Sequence, residues 1–105
     1  MKLRVVDKHD GEGHFPLFAK GANVDELVAC EQTAHWFVCV IEGYKTYIPD
    51  TYVTDGVLVR DYNPTELVLE AGQIVTLMEV AFEWLYVEDQ SGKRGWFPAE
   101  KAVSV

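Results

Sequence analysis

Long apolar runs, basic residues and cysteines are all scarce in this chain, and each shortage closes a class of function. No stretch nears the roughly 20 apolar residues that a bilayer span needs. Met1-Lys2-Leu3-Arg4 offers no apolar signal core or cleavage site, so a cytoplasmic location is expected. Lys and Arg total 9 against 17 Asp and Glu, a formal charge of -8. Duplex nucleic acid and anionic membranes bind by letting Lys and Arg displace counterions, so neither is expected as a partner. A basic or neutral partner fits better. Cys30 and Cys39 are the only cysteines, and in a cytosolic chain two are read as buried thiols, with a disulfide across a hairpin as the alternative. With His35 they lack the close pairing of zinc sites, so no metal or cofactor is expected, and His9, His14 and His35 are read as surface residues. There is no nucleophile elbow, no phosphate-cradling glycine loop and no spaced acid and base, which sets an enzyme aside.

What the chain does have is a doubled pattern. His35-Trp36-Phe37 runs on to Tyr47-Ile48-Pro49, and Glu83-Trp84-Leu85 runs on to Trp96-Phe97-Pro98. Four marks keep their order: Asp7 and Asp61, Gly21 and Gly72, Trp36 and Trp84, Pro49 and Pro98, at offsets of 54, 51, 48 and 49. Such drift belongs to loops, because an odd change inside a strand would turn its buried face outward. Runs rich in Val, Ile, Tyr, Phe and Trp predict strands at 3–6, 24–30, 36–41 and 45–48, and again at 57–60, 74–80, 84–88 and 93–97. Gly and Asp punctuate them. The expected domains are 1–53 and 57–105, joined by Thr54-Asp55-Gly56. A linker of three residues reaches at most about 10 Å, so the two units are expected to pack against each other.

These marks resemble the Src-homology-3 (SH3) family, and the resemblance covers nearly the whole chain. Asp61-Tyr62 is similar to the end of that family's Ala-Leu-Tyr-Asp-Tyr signature, Glu66-Leu67-Val68-Leu69-Glu70-Ala71-Gly72 to its Glu-Leu-Ser-Phe-x-x-Gly, and Gly95-Trp96-Phe97-Pro98 to its Gly-Tyr-Ile-Pro. The first copy resembles it through Asp7, Phe18-Ala19-Lys20-Gly21, Trp36 and Tyr47-Ile48-Pro49-Asp50-Thr51-Tyr52. The resemblance implies an all-β chain of two small five-stranded barrels in tandem, of the kind found in small stand-alone bacterial variant SH3 proteins.

It also implies a non-enzymatic module that binds peptides. In the family, aromatic ridges accept proline rings of an extended ligand and loop carboxylates pair with its Arg or Lys. Carried over residue by residue, the first groove has Trp36, Pro49 and Tyr52, with Val6 and Lys8 at the two signature tyrosines and Asp10 and Glu12 in its loop. The second has Tyr62, Trp84, Pro98 and Glu66, with Arg60 and Lys101 replacing aromatics. An extended, proline-rich or basic protein segment is the expected ligand, with Trp36 as the more important tryptophan. The alternative is an assembly protein whose groove aromatics form inter-domain or subunit contacts. A monomer or weak homodimer suits either reading.

Overall fold

In a computed structural model that describes residues 1–11 and 14–105, the chain is all-β, with ten strands and two short 3-10 turns among the described residues. It divides into two compact units. Unit 1 comprises Met1–His14 and Thr65–Val105, and unit 2 is the continuous segment Phe15–Pro64. The expected boundaries at 53 and 57 follow the sequence repeat; the compact units do not, because each copy's first strand has joined the other copy's sheet.

Unit 1 is built on a five-stranded sheet in the order β10 (Ala102–Ser104), β1 (Lys2–Val5), β7 (Ile74–Ala81), β8 (Trp84–Glu88), β9 (Arg94–Pro98). β1 alternates exposed and buried residues, as a strand with one core face must. Its inward Leu3 and Val5 join a cluster with Leu67, Leu69, Val75, Leu85, Val87 and Phe97. Burial of that kind contributes roughly 1.5–3 kcal/mol per large side chain. β1 pairs antiparallel with β7, Leu3 opposite Val75, and with β10, Leu3 opposite Ser104. The last residue stays in register too, the Val105 N–H donating to the Lys2 carbonyl at 3.2 Å.

Unit 2 has a three-stranded sheet, β2 (Val24–Ala29), β3 (Trp36–Ile41) and β4 (Tyr44–Pro49), and a two-stranded one, β5 (Val53–Thr54) and β6 (Val57–Leu58). Among the described residues each unit therefore carries five strands. The ladders, however, form open sheets rather than closed barrels: in unit 2 the two sheets are bridged at Asn23 and Val57, with the Val24 N–H donating to the Gly56 carbonyl at 2.8 Å. Of Thr54-Asp55-Gly56, expected as a linker, Thr54 ends β5 and Asp55-Gly56 form the turn of the β5–β6 hairpin. Asp55 (φ 52°) and Gly56 (φ 73°) are both left-handed, the two-residue turn that matches the twist of a hairpin.

Candidate functional site

The β3–β4 and β8–β9 ladders set Trp36 opposite Pro49 and Trp84 opposite Pro98, so the tryptophan and proline expected to share a groove are cross-strand neighbours in both units. A 3-10 turn follows each proline, Asp50–Tyr52 in unit 2 and Ala99–Lys101 in unit 1. In each, the residue after the proline donates its N–H to the residue before the tryptophan: Asp50 to His35 at 2.8 Å, Ala99 to Glu83 at 3.0 Å. Those acceptors are both left-handed, at φ 67° and 72°.

The rest of each groove comes from the other copy. In unit 2, Tyr62 and Phe18 exchange N–H···O=C bonds of 2.9 and 2.8 Å, which brings Tyr62 to Tyr52 with ring centroids 5.3 Å apart, edge to face. The Tyr62 hydroxyl donates to the Tyr47 carbonyl at 2.6 Å, and the Arg60 guanidinium lies 4.4 Å over the Tyr52 ring. Tyr52 and Tyr62, which the sequence divided between two grooves, are thus together in unit 2, as are Trp36 and Pro49. All are buried: Trp36 and Tyr52 are 6% exposed, Tyr62 is 2%, and Pro49 is fully enclosed. A phenol and an indole at this depth act as packing, with the hydroxyl satisfied inside the protein.

In unit 1 the equivalent reciprocal bonds join His9 and Leu69, at 2.9 and 3.0 Å, so His9 occupies the place that Tyr62 holds in unit 2. This corrects two expectations. Lys8 does not stand at a signature tyrosine, and His9 is no surface residue. The His9 ring is edge-on to Trp84 and to Phe97, with centroids 5.9 Å from each, and its Nε2 lies 3.0 Å from Glu66 Oε1. Counting from the ladder rather than from Asp7 and Asp61 would have found it. Lys101, equivalent to Tyr52, sends its Nζ to the Lys8 carbonyl at 2.9 Å.

Glu66 is placed by close backbone packing. A Cβ on Gly95 would stand 2.7 Å from the Thr65 carbonyl oxygen and 2.8 Å from Leu67 Cγ, and one on Gly11 would overlap the Glu66 carbonyl. Only glycine lets the chain pass there. Asp10 belongs to unit 1, so it lies with Trp84 and Pro98 rather than with Trp36; it is exposed, 3.3 Å from Lys8. The hydrogen-bonded, oppositely charged Asp10 holds the Lys8 ammonium above its usual range, with Glu70 adding to the effect. Glu12 lies outside the described residues. Trp84 and Pro98 are half-buried, in contrast to their counterparts.

Cys30 and Cys39 are both free thiols. Among the described residues, no group of His, Cys, Asp and Glu could hold a metal, and no helix is long and apolar enough to cross a membrane.

Residues 56–102 match the family model of a variant SH3 domain. No curated protein and no solved structure matches. The SH3 match follows the second sequence copy and so crosses the division at Pro64 and Thr65: residues 56–64 lie in unit 2 and residues 65–102 in unit 1. SH3-like domains are generally protein-interaction modules without catalysis.

Proposed function

We propose that the protein is a non-enzymatic interaction module whose unit 1 receives an extended, basic segment of a partner protein across Trp84 and Pro98. The observation that carries this reading is the difference in cover: Trp84 and Pro98 are half-buried, while Trp36, Pro49, Tyr52 and Tyr62 are buried. Carboxylates border the open tryptophan. Glu66 reaches it through His9, Glu83 precedes it in the turn, and Asp10 lies on the loop that carries His9. Lys101 in place of an aromatic removes one wall of a proline slot, so indole contact and ion pairing are expected to outweigh proline rings in recognition. The chain's charge of -8 draws a basic segment in and opposes close self-association, which fits a monomer or weak homodimer.

The burial of unit 2's aromatics supports a second reading for that unit alone, in which they are spent on assembly rather than on ligand. Amide and indole NMR shifts during titration with an extended Arg- and Lys-rich peptide, with and without prolines, separate the two. The proposal expects shifts at the Trp84 indole and at residues 7–11 and 66–70, lost in Trp84→Ala. Silence there, or a response centred on Trp36, would sink it.

A further inference from the structure

The outer face of the β2–β3–β4 sheet carries a second feature that the Trp84 groove does not use. Register puts Val28 opposite Val38 and Val38 opposite Tyr47, a cross-strand row of three apolar side chains. They are 62%, 39% and 43% exposed. Strand alternation makes the other face of β3 the interior one, with Cys39 and Ile41 buried there, so the exposed row stands outward. The equivalent row of unit 1 is Glu79, Tyr86 and Trp96, in which Tyr86 is half-buried and Trp96 buried. Unit 2 has no charged residue in its row, and leaves it open.

We infer that the row Val28–Val38–Tyr47 is a docking surface for the apolar stripe of a basic amphipathic helix from a partner protein. The dimensions suit one helix: three strands about 4.8 Å apart make a row about 10 Å wide, the diameter of a helix with its side chains. On the same face the row is flanked on one side by Trp36 and Pro49, both buried, and on the other by Asp25, Val40 and Lys45, so the open strip gives way to charge within one step on that second side. Asp25 stands in that neighbouring row with Lys45, Glu26 follows it in β2 and Glu42 follows β3 in the turn, and Lys or Arg flanking an apolar stripe would find those carboxylates. A second copy is the poorer occupant, since two chains of charge -8 would have to be brought together. Addition of a strand to the β2 edge is opposed by the bulge between Asp25 and Val28, where Glu26 is left-handed at φ 53°.

The test uses the full chain and a synthetic helical peptide of leucine and lysine with one apolar stripe. Saturable binding with amide shifts centred on Val28, Val38 and Tyr47 is expected. The triple variant Val28→Thr, Val38→Thr, Tyr47→Thr changes no charge and keeps β-compatible residues, and it should bind at least tenfold more weakly with its β-sheet circular dichroism intact. Three results overturn the inference: equal affinity in the variant, which would mean charge alone is read; shifts confined to residues around Trp84; or dimers of the free protein whose interface shifts map to the row.

Discussion

Where unit 2 sets Tyr62 against Tyr52, unit 1 has His9 and Lys101, and the same ladder of bonds holds both arrangements. In unit 2 the corner is aromatic, internally hydrogen-bonded and sealed. In unit 1 it is ionisable, with His9 and Glu66 behind a tryptophan that is only half covered. The difference teaches that backbone pairing and groove chemistry are separable in this fold: exchange of first strands preserved the pairing and completed one aromatic cluster at the expense of the other.

Breaking the core of each unit should give the largest effect. Phe97 is fully buried in unit 1 and Ile48, at the matching ladder position, in unit 2. Phe97→Ala is expected to cost about 3–5 kcal/mol and Ile48→Ala about 2–5 kcal/mol by urea denaturation. Next comes His9→Leu, which removes the 3.0 Å hydrogen bond between His9 and Glu66 and the ring's edge contacts with Trp84 and Phe97, and should cost about 1–3 kcal/mol. A neutral result would show that the pair contributes nothing beyond its shape. Tyr62→Phe removes the hydroxyl bond to the Tyr47 carbonyl, and a loss of about 1 kcal/mol is expected in the same measurement. Glu83→Gly should act in the opposite sense, stabilising by a few tenths to about 1 kcal/mol, because φ is 72° there and glycine adopts it without strain. A loss instead would mean that the Glu83 side chain itself holds the turn.

The thiols sharpen the comparison by pH. Burial raises Cys39 from 9.0 to about 11, so its contribution to stability is complete below pH 9 and is lost as pH climbs from 9 toward 11. Denaturation midpoints across that window should fall in the wild type and fall less in Cys39→Val. Half-buried Cys30 should react with a thiol reagent well before buried Cys39.

Much of the architecture was legible in the sequence. Alternation and turn residues placed β3 and β8 to the residue, and the Trp-to-Pro spacing did put those side chains opposite each other. The exchange of first strands was not legible. Leu3 and Val5 in one copy and Leu58 in the other are equally apolar, and a local pattern says that a strand has an inner face without saying which sheet receives it. His9 was missed for a narrower reason. Matching Asp7 to Asp61 aligns like with like, but the ladders put Lys8 where Asp61 stands, one residue along. The sealing of Tyr52 and Tyr62 was hidden because each was assigned to a groove that lacked the other.

The division of unit 1 between the two ends of the chain also imposes an order in time. As the chain leaves the ribosome, residues 15–64 are available as a complete set while β1 has neither of its neighbours. Leu3 and Val5 must wait for Val75 and its strand, then for residues 102–104, before both edges of β1 are closed. Pairing across so long a separation is slow, and an unpaired apolar strand is vulnerable while it waits. Residues 2–5 are therefore made well before the strands they pair with, so a nascent chain halted midway would carry all of residues 15–64 and a β1 open to capture.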